Sequence, residues 1–453
     1  MLSRSWYKKA PVSVQSGLIT MRALARKFVR EGRTFNRLLC EIKKSQHGSA
    51  GELALLHEKM LGGLLSHAVS HVPFYRDLQL DEALMGGSAV EALQAFPIID
   101  KDVVREQGAK FLADNARRPL VKGSTSGTTG MPLFLFQDLN AINRENAFIW
   151  RQLQWAGLKR GDRRAVLRGD LVVPVDVNTP PFWRRNHAEN MLMLSSYHLS
   201  DKNVPGYFEA LERFDPVVIQ AFPSSAGFLA KWLETNNRCY AGAALKGIVT
   251  SSETLGEDQQ ALIEARFGCR VFDWYGQFER VSAIGTCEHG RHHIVSDYSF
   301  VELMPEGDGL FEIVGTGFNN FAMPLIRYRT GDYVRVDDGD ARCDCGRAFP
   351  LVKTIVGRAD DDVVLPDGRH IALQGHVFRS GVDGILEAQI RQDRSDQIDI
   401  LVVPAAGYSE EMERKLLSNA RARVGNGIQL QVKVVDAIPR SKNGKFRGIV
   451  RSI

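Results

Sequence analysis

The chain has 453 residues, a formal net charge of +5, 44% hydrophobic residues and 25% charged residues. It is too long for one core, so two or three domains are expected. The composition is that of a globular protein, and the mild positive charge falls short of the basic bias of a dedicated nucleic-acid binder.

No apolar run approaches the length of a transmembrane helix. The opening MLSRSWYKKAPVSVQ carries charges but no apolar h-region, unlike a signal peptide. A cytoplasmic protein is expected, with six cysteines free or metal-bound rather than paired. Residues 1–45 are basic: Lys8, Lys9, Arg22, Arg26, Lys27, Arg30, Arg33, Arg37, Lys43 and Lys44 are interspersed with Ile19, Leu24, Phe28, Phe35 and Leu39. This reads as a helical extension. It either lies on the anionic inner face of a membrane or packs on the main body with its basic face solvated. Residues 51–71 carry helical apolar spacing up to Pro73. Apolar runs then predict strands at 163–169, 216–222, 245–253 and 269–276, with helices at 207–214 and 258–267. Such alternation argues an α/β fold with a largely parallel sheet. From 294 to 336 the pattern is β. Beyond the polar GRADDD (357–362), a strand at 398–404, a helix at 409–425 and a strand at 428–435 make a small α+β block. The expected organisation is a large N-terminal domain of mixed sheets and helices (1–357), a hinge at 358–361, and an α+β lid (362–453).

Five stretches carry chemistry. GSTSGTTGMP (123–132) has no charge and lacks the Lys of a Walker loop, which excludes that class of kinase. Its backbone N–H groups and hydroxyls can form a nest for a polyphosphate; a plain surface loop is the alternative. In DWYGQFER (273–280), Tyr275 can stack on a base and Glu279 can hold Mg²⁺. In IRYRTGDYVRV (326–336), Asp332 sits at a turn where a carboxylate can accept both hydroxyls of a ribose. In IPRSKNGKFR (438–447), Lys445 offers a cation for charge that develops in a transition state. Cys287, Cys343 and Cys345 with one of His289, His292 or His293 form a Cys3His set, common in structural zinc sites. Free cysteines with polar histidines are the alternative.

In chain order, TSGTTGMP, SSE (251–253), YGQFE, YRTGD, and GRADD (357–361) with the terminal NGK resemble the adenylate-forming superfamily of acyl-CoA synthetases, luciferases and non-ribosomal adenylation domains. The resemblance spans about 100–453. HVPFYR (71–76), FPIID (96–100), SSETL (251–255), CEHGRHH (287–293) and CDCGR (343–347) are similar to the phenylacetate–CoA ligase-like branch, and more so to the CapK type of polysaccharide biosynthesis. The resemblance implies that Thr125, Ser126, Gly127, Thr128, Thr129 and Gly130 hold the ATP phosphates. Ser252 and Glu253 would edge the adenine, with Tyr275 and Gly276 against its face. Glu279 would bind Mg²⁺, and Asp332 the ribose, with Arg358 nearby. Asp360 would be the hinge, and Lys445 would neutralise charge at the α-phosphate. The branch selects His293 as the zinc ligand beside Cys287, Cys343 and Cys345.

The implied activity is that of an AMP-forming ligase. A carboxylic acid is activated by ATP as an acyl-adenylate, and the acyl group passes to CoA or to a sugar amine or hydroxyl in surface polysaccharide biosynthesis. Residues 166–176 and 219–225 are expected to wall the acid. Two positions depart from the family: Leu133, where many relatives carry Lys, and Phe278, where Thr is usual, with Gln277 beside it. They leave open a non-catalytic nucleotide-binding scaffold of the same fold. No nucleic-acid partner is expected.

Overall fold

The structure is a computed structural model. It describes residues 5–80, 87–124, 133–336, 342–358, 363–366, 370–371, 373, 377, 384–405, 407–425, 427–440 and 446–453. The fold is mixed α/β, as expected, and forms two compact units.

The first unit gathers Met1–Thr20, Arg160–Val271 and Arg358–Ile453. Its sheet order is Gly247–Ser251, Val218–Ala221, Arg164–Arg168, Met191–Ser195, Trp183–Asn186. The first four strands are parallel and Trp183–Asn186 is antiparallel. Met191–Ser195, Val218–Ala221 and Gly247–Ser251 are buried at every residue. Strands covered on both faces read as unbroken apolar runs, which is why most were visible in the sequence. Helices Val204–Phe214 and Pro223–Thr235 make the crossovers. Helix Glu257–Phe267 ends at Gly268, whose φ of +66° only glycine adopts without cost.

The same unit carries a four-stranded sheet in the order Gln429–Val434, Gln397–Pro404, Ile385–Arg394, Ile449–Arg451. Helix Glu410–Val424 makes the crossover between the parallel strands Gln397–Pro404 and Gln429–Val434. Ile390, Ile400, Val402, Leu416 and Ala420 form a core of its own. Leu386, Val403 and Ile438 instead join the core of the larger sheet, with Phe228 and Trp232.

The second unit comprises Met21–Lys159 and Phe272–Gly357. Helix Ala50–His71 begins at a capping box in which Ser49 and Glu52 satisfy each other's backbone N–H groups. A four-stranded sheet runs Ser299–Gly307, Leu310–Gly317, Tyr328–Arg335, Thr354–Arg358. Strands Ala283–Thr286, His292–Ile294 and Leu351–Val352 pair antiparallel in that order. Arg151, on helix Leu139–Trp155, is 2% exposed yet charged. Its guanidinium makes two bonds to Asp297, at 2.6 and 2.9 Å, and one to the Ile42 carbonyl. Such a buried pair holds only when good geometry and further hydrogen bonds, here the one to Ile42, offset the desolvation of both charges.

Candidate functional site

In the second unit, the motifs at 273–280 and 326–336 are cross-linked twice. The Tyr275 hydroxyl donates to Asp332 Oδ2 at 2.7 Å, and the Tyr328 hydroxyl donates to Glu279 Oε1 at 3.2 Å. Each motif thus supplies a tyrosine to the other's carboxylate. Gln277 Nε2 donates to the Tyr275 hydroxyl at 3.2 Å and to Ser282 at 2.8 Å, fixing the pair from behind. Burial, and then the Asp332 charge, raise the Tyr275 phenol well above its ordinary value, so it stays a donor. Gly276 ends the strand with its backbone exposed.

The loop 125–132, with Thr125, Ser126, Gly127, Thr128, Thr129 and Gly130, lies outside the described residues. Its flanks are described. Strands Val121–Ser124 and Phe134–Gln137 pair antiparallel, with Ser124 opposite Phe134, so the two ends of the loop are side by side. Leu133 is buried in the core with Leu135 and Met323, which accounts for an apolar residue at this position. Phe278 lies over Gly123. A Cβ added there would stand 2.1 Å from the ring, so the glycine and the phenylalanine are matched.

In the first unit, the chain reverses direction across the sheet between Arg164–Arg168 and Val218–Ala221. The crevice beyond the carboxyl ends of strands at such a switch point is where open α/β sheets bind ligands. Arg168, Ser252 and Glu253 meet there. Arg168 Nη2 donates to Ser252 Oγ at 2.9 Å, and its guanidinium lies 5.6 Å from the Phe222 ring centre. Among the described residues no carboxylate lies within ion-pair distance of it. Desolvation lowers its pKa. Glu253 accepts from the backbone N–H of Ser224 at 3.0 Å, in the first turn of helix Pro223–Thr235, and from that of Phe446 at 2.5 Å. It therefore holds the residue next to Lys445. Burial raises its pKa, while these backbone donors pull the other way. Lys445 and Asp360 lie outside the described residues, and Arg358 is described only as backbone ending strand Thr354–Arg358.

Three residues of the motifs share a feature that the sequence does not signal. Ser252, Arg280 and Arg327 have φ of +76°, +58° and +50°. Such backbone is costly for residues with a Cβ and is found where the surroundings enforce it, often at functional sites. Arg280 is held by the Ala141 carbonyl at 2.7 Å, and Arg327 by Glu302 at 2.9 and 3.1 Å.

Cys287, His293, Cys343 and Cys345 place their ligand atoms within 4.8 Å of one another. Cys287 Sγ lies 3.6 Å from Cys343 Sγ, and Cys345 Sγ lies 3.4 Å from His293 Nε2. These separations fit a tetrahedral Zn²⁺ bound at its usual bond lengths. His293 Nδ1 is 3.2 Å from the Phe349 carbonyl. Donation there fixes the tautomer and turns Nε2 toward the cysteines, the usual outer-sphere arrangement of a metal-bound histidine. Burial lowers the His293 pKa to about 4, so the ring is neutral. His292 is instead occupied by Thr286 at 3.0 Å, and His289 contributes a backbone N–H to Cys287 Sγ.

Comparison with known proteins yields consistent relatives. The profile of the CapK C-terminal domain matches residues 365–452. Protein CapK of Staphylococcus aureus is 23% identical over 99% of both chains. A phenylacetate-coenzyme A ligase of Thermus thermophilus is 25% identical, covering 88% of this chain and 96% of that one. The fold is that of a 2-hydroxyisobutyryl-CoA ligase solved in the postadenylation state with an acyl-AMP. The TM-score is 0.66 at 17% identity, over 90% of this chain and 91% of that one. Among the described residues no helix is long and apolar enough to cross a membrane.

Proposed function

For a chain homologous to CapK along its whole length and to the phenylacetate–CoA ligases, on the fold of the adenylate-forming CoA ligases, we propose an AMP-forming ligase that activates a carboxylic acid. The carrying observation is the reciprocal pairing of Tyr275 with Asp332 and of Tyr328 with Glu279. It joins the base- and metal-side motif to the ribose-side motif in one rigid piece.

The acid's carboxylate oxygen attacks the α-phosphorus of ATP, the bond to the β-phosphate oxygen breaks, and pyrophosphate leaves. A nucleophile then takes the acyl group and AMP is the second leaving group. Most of the acceleration is assigned to positioning and fixed charge. The loop Thr125–Gly130 cradles the β- and γ-phosphates. Asp332, oriented by Tyr275, holds the ribose hydroxyls, with Arg358 near it. Ser252 edges the adenine, while Glu253 anchors the backbone at residue 446. Mg²⁺, when bound, neutralises phosphate charge, and Glu279 would hold it. Lys445 faces the α-phosphate. Cys287, His293, Cys343 and Cys345 would hold a zinc ion, which would pin the strands around it and take no chemical part. Residues 358–361, with Asp360, form the hinge of a lid at 362–453. Arg168 faces the acid: a desolvated guanidinium bonded to the Ser252 hydroxyl and set beside the Phe222 ring suits an acid with a second polar or anionic group. CoA is the first acceptor of choice. A sugar amine or hydroxyl in surface polysaccharide assembly is the finer reading suggested by CapK, and contact with the inner face of a membrane belongs with it.

A second reading, a nucleotide-binding scaffold, is favoured by one observation, the Phe278 ring that fills the space over Gly123. Acid-dependent exchange of labelled pyrophosphate into ATP separates the two. The ligase reading expects exchange that Lys445→Ala lowers about 10²–10³-fold. ATP binding without exchange across aryl, hydroxy and dicarboxylic acids would favour the scaffold.

A further inference from the structure

Helix Val12–Arg30 turns an apolar face to solvent. Gln15, Ser16, Ile19 and Ala23 are its buried positions. From the opposite side project Val14, Met21, Leu24 and Phe28, which are 47%, 60%, 55% and 88% exposed. Their spacing of seven, three and four residues puts them on one stripe, and Gly17 continues it with nothing within 4 Å of a Cβ. A surface helix of a water-facing protein carries polar residues at such positions. Arg22, Arg26, Lys27 and Arg30 are all exposed on the same helix. Arg37, Lys43 and Lys44 add exposed cations on helix Arg33–Ser45, and residues 5–45 hold two acids, Glu31 and Glu41. The stripe is rigidly presented, because Asn143 and Asn146 of helix Leu139–Trp155 donate to the carbonyls of Val29 and Arg30.

We infer that this helix docks on the surface of an anionic lipid bilayer. Met21, Leu24 and Phe28 enter the boundary between headgroups and acyl chains, and the arginines and lysines pair with lipid phosphates. The charge pattern decides the occupant. The stripe has Arg22 on one flank and Lys27 on the other, both exposed, and an apolar stripe flanked by cations complements an anionic lipid surface, whereas a second copy of this chain would bring cations against cations. The inference deepens the membrane contact proposed above; its observations and its test concern the helix, so its failure would leave the ligase reading untouched, and the reverse.

The test is sedimentation of the full chain with vesicles of phosphatidylcholine, with and without phosphatidylglycerol. Binding is expected with the anionic vesicles and should fall as salt is raised. The double variant Leu24→Glu, Phe28→Glu should lose it. Arg22→Gln and Lys27→Gln should each weaken it about fivefold. All four side chains are exposed, so an unchanged unfolding midpoint is the control for folding. In Phe28→Trp, acyl chains carrying bromine should quench the added fluorescence. Equal sedimentation of wild type and double variant, or no quenching, overturns the inference. So does self-association without lipid that the double variant abolishes, which would assign the stripe to a second copy.

Discussion

Replacing Tyr275 by Phe removes one oxygen and tests the joint between the two motifs. The hydroxyl donates at 2.7 Å to Asp332, a carboxylate only 6% exposed. A hydrogen bond to a charged group contributes about 1.5–3 kcal/mol, and removing one partner of a buried acceptor costs a similar amount. The backbone N–H of Asp332 donates to Thr330 Oγ1 at 3.0 Å, which holds the turn in the variant as well. If the carboxylate must stand in place to accept a ribose, the loss appears in catalysis. At 1.4 kcal/mol per factor of ten, kcat/KM for ATP in pyrophosphate exchange should fall about 10–150-fold, while urea unfolding shifts by no more than about 3 kcal/mol. Tyr328→Phe should act in the same direction through Glu279. In a double-mutant cycle the two losses should be less than additive, because both unfasten one joint. A Tyr275→Phe protein with unchanged stability and unchanged kcat/KM for ATP would refute the reasoning.

Four other outcomes follow from the geometry. Asp297→Asn leaves the Arg151 charge buried without its partner and should cost about 3–5 kcal/mol in denaturant unfolding, whereas a change within about 0.5 kcal/mol, the usual effect of a surface substitution, would mean the pair contributes little. Purified protein should contain close to one zinc per chain, and His293→Ala or a strong chelator should remove it and lower the melting temperature; metal content unaffected by His293→Ala contradicts the site. The Glu253 pKa is raised by burial, so its contribution to stability is present below the ordinary carboxylate value, near 4.5, and is lost as pH rises through the folded-state value. Glu253→Gln should flatten the stability–pH curve between the ordinary carboxylate value and the folded-state value, and an unchanged slope there would remove Glu253 as its cause. Arg168→Met should shift acid preference from polar or dicarboxylic acids toward apolar ones, with little change in KM for ATP; a uniform rise in KM for ATP would place Arg168 on the nucleotide instead.

Met191–Ser195 was missed although it is buried at every residue, while the parallel strands Arg164–Arg168, Val218–Ala221 and Gly247–Ser251 were legible as apolar runs. Trp183–Asn186 was not, because Arg184 is buried there with its Nε on Gln15 Oε1 at 2.6 Å. Helix Leu139–Trp155 was missed for the same reason: Asn143, Arg151 and Gln152 face inward, each held by hydrogen bonds that hydropathy does not register. The Cys3His donors were legible from chemistry alone, but the residues left three histidines open. Geometry parts them, since Thr286 holds His292 and Phe349 orients His293. The motifs themselves were readable, and their reciprocal tyrosine–carboxylate pairs were not, because partners some fifty residues apart leave no local pattern. The same is true of Ser252, Arg280 and Arg327, whose left-handed backbone would ordinarily be signalled by glycine.

The measurement that bears most directly on the account is identification of the nucleotide product. With Mg-ATP, a panel of carboxylic acids and hydroxylamine as trap, the account predicts AMP and pyrophosphate in equal amounts, a hydroxamate of one acid, and dependence on that acid. ADP and phosphate as the products, formed in an acid-dependent way, would contradict it.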